Sequence, residues 1–218
     1  MGCQLCETRK PRRYCPGVRG DICSICCGTE REETVDCPLD CEFLEEARRR
    51  EKPPDVSPDE FPNADVRVSE SFLRDNEKLL LFLSGSLLQG ALETPGTIDT
   101  DIQECLDALI KTHRTLESGI YYDTRPSNVL AGAIYERLRQ GVQQFREDLA
   151  RRTGMHTIRD ADVLGILVFL QRLEIQHHNG RRKGKAFLDF LRRYFAEFQA
   201  AREQGVLPAP PVGSPVLP

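Results

Sequence analysis

Eight cysteines stand in the first 41 residues of this 218-residue chain, at positions 3, 6, 15, 23, 26, 27, 37 and 41, and Cys105 is the ninth. Their spacing is C-x2-C, a lone Cys15, a second C-x2-C with Cys27 adjoining, and C-x3-C. Spacers of two or three residues let a tight turn aim two sulfurs at one ion about 2.3 Å from each, which is how zinc knuckles are built. Tetrahedral zinc takes four ligands, so the expected cofactor is zinc, two ions, each closed by thiolates and structural in role. A catalytic zinc keeps a water-filled position that four thiolates do not leave. Adjacent side chains in turn or extended backbone diverge, so Cys26 and Cys27 are assigned to different ions. One pairing is crossed: Cys3, Cys6, Cys23 and Cys26 on one ion, with Cys15, Cys27, Cys37 and Cys41 on the other. A less crossed pairing puts Cys23, Cys26, Cys37 and Cys41 together. Spacing does not choose between them.

The order C-x2-C, then Tyr-Cys-Pro at 14–16, then Cys-Ser-Ile-Cys at 23–26 resembles the HIT-type zinc finger, a cross-braced module related to MYND and RING fingers. The resemblance implies two zincs, a role in protein association, and one ion shared by Cys3, Cys6, Cys23 and Cys26. The chain departs from that pattern at Val18, near where a further cysteine is expected, in having no histidine among residues 1–41, and in the longer loop before its last knuckle. Cys27 is the candidate for the missing ligand. Independently of any family, a 41-residue segment with few large apolar side chains buries too little surface to fold alone, and metal binding supplies on the order of 10 kcal/mol.

What holds this module is read from the rest of the chain. Residues 1–51 form the cysteine-rich module with a trailing helix in EFLEEARRREK, and residues 52–68, with four prolines, read as a linker and flexible hinge. From residue 69 to 206 the apolar period is helical and predicts an all-α bundle of about five helices. The first spans about 70–92 and stops at Thr94-Pro95-Gly96. Thr100 with Gln103 reads as a capping box for the second, which ends at Gly119; the third starts at Pro126 and Ser127 and stops at Gly154. Thr157 with Asp160 opens a fourth, whose centre VLGILVFL is apolar on nearly every side and belongs in the middle of the bundle. Phe187, Phe190, Leu191, Tyr194, Phe195 and Phe198 mark the fifth, ending before Gly205. The tail 207–218 is too proline-rich to fold. No strand pattern stronger than DVRV is present.

Charge narrows the function. Thirty basic residues against 34 acidic ones give a net charge of -4, which argues against a polyanion-binding surface over the whole protein. Within residues 1–41 six basic side chains face seven acidic ones, and thiolates bound to zinc add further negative charge, a field that repels phosphates. The N-terminal sequence has no apolar core of a signal peptide, Cys6 stands where N-myristoylation wants Ser or Thr, and no apolar run reaches membrane-spanning length. The expected location is the cytoplasm, with no membrane partner, where reduced thiols favour metal over disulfides.

The bundle offers weaker signals. Arg181, Arg182, Lys183 and Lys185 lie on a glycine-punctuated turn before the fifth helix, a candidate cradle for an anion or nucleic acid. His177 and His178 are placed as caps at the end of the fourth helix, His113 and His156 have no partner nearby in sequence, Cys105 falls on an apolar stripe, and the loop ESGIYYDTRP is expected to cover the bundle end. No nucleophile-base-orienter set, P-loop or HExxH pattern occurs, so the chain is not expected to be an enzyme. The function expected is a zinc-binding adaptor or interaction protein engaging a protein partner. The alternative is a nucleic-acid-binding protein using the basic 177–193 turn with structural zinc.

Overall fold

A computed structural model of the chain describes residues 2–52, 54–57, 60–119, 122–155 and 158–203, without the side chains of 202 and 203. His156, Tyr121, Thr157, Pro53, Pro58, Gly205 and the tail 207–218, all used in the sequence reading, lie outside the described residues.

Helices dominate the described chain, and its one two-stranded sheet is the antiparallel hairpin of β1 Arg13–Cys15 with β2 Gly20–Ile22. Eight helices follow: α1 Ser24–Thr29, α2 Glu42–Arg48, α3 Glu70–Asp75, α4 Glu77–Glu93, α5 Asp99–Glu117, α6 Val129–Thr153, α7 Asp160–His177 and α8 Ala186–Glu203. The five long ones are the helices expected from the apolar period, and the three short ones raise the count. Two of these belong to the cysteine-rich module: α2 is the trailing helix expected in EFLEEARRREK, and α1 gives no hydrophobic period because sulfur and Ile22, Val35 and Leu44 make up the module's interior.

The third short helix arises because the stretch read as one helix over 70–92 is broken at Asn76. The Asn76 side-chain amide and backbone N–H both donate to the Phe72 carbonyl at 3.0 Å, closing α3 before α4 starts. A short polar side chain that bonds nearby backbone is a common helix breaker. Ser69 caps the other end, accepting from the Phe72 N–H at 3.1 Å.

Two start signals also move. The carboxylate that reaches back to the helix N-cap amide is Asp101 to Ile98, at 2.9 Å, in α5 and Asp162 to Arg159, at 3.0 Å, in α7. Neither N-cap residue is a Ser or Thr, so the boxes read at Thr100 and Thr157 lie two residues from the true starts. A carboxylate at the third position suffices to hold the N-cap amide.

Helix α6 packs on α4 and α5, while α7 lies against α5 and also meets α4 and α8. Val163, Leu164, Ile166, Leu167, Val168 and Leu170 of α7 are all buried, as its unbroken apolar stretch requires. Gly165 lets α3 approach: a Cβ there would run into the Phe72 ring. Cys105 is buried in this core. The segment read as a linker is partly pinned, because Asn63 donates to Gln171 at 2.7 Å and accepts from Arg114 at 2.8 Å. Arg172 also donates to the Asn63 and Val66 carbonyls, at 2.8 and 3.0 Å.

Candidate metal centre

The module begins with a turn at residues 4–6, in which the Glu7 N–H donates to the Cys3 carbonyl at 2.7 Å and the Cys3 N–H to the Arg9 carbonyl at 2.9 Å. Glu7 takes a left-handed φ of 57° to turn the chain away after the second sulfur. The Gln4 N–H donates to the Asp21 carbonyl at 3.0 Å, fastening this turn to the hairpin. Strand β2 runs straight into Cys23, the N-cap of α1, so Cys23 and Cys26 lie in a helical first turn with their sulfurs on one side.

These local folds bring Cys3, Cys6, Cys23 and Cys26 together with all four Sγ atoms within 4.8 Å of one another. A tetrahedral ion about 2.3 Å from each sulfur requires separations of about 3.8 Å, so the set fits zinc with small adjustments. The donors are all thiols, and backbone amides support them: the Cys23 N–H donates to Cys3 Sγ at 3.2 Å and the Cys26 N–H to Cys23 Sγ at 3.4 Å. Hydrogen bonding from the Thr8 side chain and then the Arg9 backbone holds Cys6 down to about 5. Burial, then the Cys23 and Cys6 thiols, pushes Cys26 up to about 12. Binding of a divalent cation requires all four thiols to be deprotonated and releases their protons.

Of the crossed pairing the fold gathers the first set, Cys3, Cys6, Cys23 and Cys26, and it does not gather Cys23 and Cys26 with Cys37 and Cys41. Among the described residues no other group of three or more potential ligands meets the same separation. Cys15, Cys27, Cys37 and Cys41 share the module's buried cluster without being gathered to that distance. Cys27 Sγ instead lies 3.7 Å from guanidinium nitrogens of both Arg13 and Arg31.

The basic turn of the bundle has a use that its sequence did not reveal. Glu32, fully buried, accepts from Arg48 Nη2 at 2.5 Å, from the Lys185 N–H at 2.9 Å and from Asn179 Nδ2 at 2.9 Å. The Glu32 carbonyl accepts from the Lys183 N–H at 2.7 Å. Lys183 Nζ donates to the Thr34 carbonyl at 2.7 Å, Lys185 Nζ to Asp36 at 2.5 Å, Arg181 to the Arg31 carbonyl at 2.6 Å and Arg192 to the Leu39 carbonyl at 2.8 Å. Residues 31–39 of the module are therefore docked on the turn 179–185 and the start of α8, and the expected free hinge does not separate them. Of the four basic side chains singled out, Arg181, Lys183 and Lys185 bind the module, and Arg182 is exposed.

Acid groups organise the same region. Asp99 accepts from the Phe187 and Leu188 N–H groups at 2.9 and 3.2 Å, capping α8 from another helix, and burial pushes it up to about 7. Glu174 is pushed up to about 8 by burial and then by Asp99 and Asp107. None of Glu32, Arg48, Asp99 or Glu174 was read as a site residue, since an isolated charge in sequence carries no sign of burial.

His177 stacks on Phe190 with ring centroids 3.8 Å apart. His113 lies 3.6 Å from Asp160 and is driven down to about 4, chiefly by burial. Tyr122 is exposed, and the buried tyrosine beside that loop is Tyr135, whose hydroxyl bonds Asp123. No helix among the described residues is long and apolar enough to cross a membrane. No family model, curated protein or solved structure matches the chain, and the four-sulfur cluster is compatible with a zinc-binding module without assigning it to a finger type.

Proposed function

We propose that the chain is a non-enzymatic, cytoplasmic interaction protein in which zinc shapes the N-terminal module and the module contacts another protein. The gathering of Cys3, Cys6, Cys23 and Cys26 is the observation that carries this reading. A closed thiolate set confers shape and offers no open coordination position for catalysis. Apolar side chains lie beside it: Leu5 between Cys3 and Cys6, Ile25 between Cys23 and Cys26, and Tyr14 on β1 are 37%, 53% and 60% exposed. Large exposed apolar groups on so small a module are the type that anchors interfaces. The module's acid excess, enlarged by zinc-bound thiolates, favours a partner surface bearing Lys and Arg. A second zinc on Cys15, Cys27, Cys37 and Cys41 belongs to the same proposal, supported by their common buried cluster.

Metal analysis of protein purified from reducing medium tests the first half, with close to two zinc ions per chain expected. One ion would remove the second site, and none would end the proposal. For the partner, affinity capture should recover a protein that L5D/I25D loses and R182E keeps, with zinc content equal in all three. Equal recovery by L5D/I25D would place the contact elsewhere.

A further inference from the structure

Where the module meets the bundle, a cleft of about 610 Å³ opens between the end of α2, the end of α7 and the start of α8. Its volume lies within the range of small-molecule sites. Arg48, Lys52, Arg181 and Arg193 line it, against Glu51 as the one acidic residue among the described residues of its lining. One wall is aromatic, the stacked pair His177 and Phe190. Cationic and planar apolar groups therefore face one space.

Arg48 makes the cleft more than a basic patch. Its side chain is 3% exposed. Nη2 is taken by Glu32, Nε lies 3.6 Å from Asp189, and Nη1 is buried with no hydrogen-bond partner among the described residues. A buried charged donor left unmade is costly, and native structures rarely retain one without a ligand or ordered water. Burial first, and then Arg193, hold His177 below the usual histidine range. Arg181 and Arg193 are held at the edge by Glu51 at 3.6 Å and Asp189 at 3.2 Å, which fixes them in place while leaving further N–H groups to offer.

We propose that this cleft binds a small phosphate-bearing ligand with a planar ring, of the size and charge of a mononucleotide. The phosphate meets Arg193 and Arg181, with the buried charge of Arg48 behind them in the cleft wall, and the ring lies against Phe190 and His177. Bidentate guanidinium contacts suit phosphate oxygens. A long polyanion is the poorer fit, because the acidic module borders the cleft and Lys183 and Lys185 of the neighbouring turn are already bonded to it.

The test is a titration of zinc-loaded full-length protein with AMP, and separately with inorganic phosphate, followed by calorimetry and by NMR of arginine and histidine side chains. AMP should bind at least tenfold more tightly than phosphate, with shifts at Arg48, His177 and Arg193. R193Q should weaken AMP about tenfold, F190L should remove the preference of AMP over phosphate, and R182Q should change neither. Because R48Q risks undocking the module, R193Q and F190L decide the matter. No binding of either probe at 10 mM, shifts confined to Arg182, or affinity unchanged by R193Q would overturn the proposal, as would tighter binding of a single-stranded oligonucleotide that R182Q weakens.

Discussion

Replacing Glu32 by Ala probes the junction on which both module and bundle depend. Two effects oppose each other. Removing a buried carboxylate relieves its desolvation, but it strips Arg48 of its one hydrogen-bonded counter-charge and leaves Asp189 at 3.6 Å as its remaining acidic neighbour. With the Arg48 side chain 3% exposed, water does not replace the lost partner, and breaking a buried pair from one side costs about 3–5 kcal/mol. The uncompensated arginine therefore dominates. The Lys185 N–H and the Asn179 amide lose their acceptors as well, so the loss should sit in the upper part of that range. Urea unfolding of zinc-loaded protein measures it, and hydrogen exchange locates it: the Lys183 and Lys185 amides, which bond the Glu32 carbonyl and carboxylate, should both exchange about 1,000-fold faster, since each 1.4 kcal/mol is a factor of ten. The double variant E32A/R48M should cost less than the two singles together by about 1–3 kcal/mol, the coupling expected of contacting charges. Zinc content should stay the same, because neither residue is a thiol ligand. A loss below about 1 kcal/mol, or protection unchanged at both lysine amides, would refute the view that Glu32 holds the module in place.

Glu174, pushed up to about 8 from an ordinary 4.5, contributes stability that is fully present below about pH 4.5 and is lost as pH rises through 8. E174Q should therefore gain on the parent chain across pH 5–8, by up to a few kcal/mol at about 1.4 per pH unit, and a flat difference in urea midpoints over that window would contradict the buried assignment. G165A should cost about 1–3 kcal/mol through overpacking against Phe72, with part recovered in G165A/F72L. If G165A melts with the parent chain, α3 does not lie on α7 as described. Chelation should abolish amide protection in residues 2–41 while α5 and α7 keep theirs, and retained protection at Cys23 and Cys26 would rule out a metal-dependent module.

Much of this was readable in the order of residues, for physical reasons that are local. Helical burial repeats every three or four positions, so Leu79 to Leu88, Ile102 to Ile110 and the apolar centre of α7 declare their elements without reference to neighbours. A C-x2-C turn closes on its own, so Cys3 with Cys6, and Cys23 with Cys26, were paired by spacing. Which pairs share an ion was left open by that spacing. The short strands of the hairpin left no mark, because three residues are too few for alternation to show.

The docking of module on bundle belongs to the other category. Glu32 and Lys185 are 153 residues apart, and a turn of arginines and lysines has the same composition whether it meets water, phosphate or its own chain. Apolar periodicity reports that a face is covered, not by what. The four sulfurs at one centre, the capping of α8 by Asp99, and the cleft around Arg48 all depend on which distant segments come together, and that is set by the packing of the whole chain.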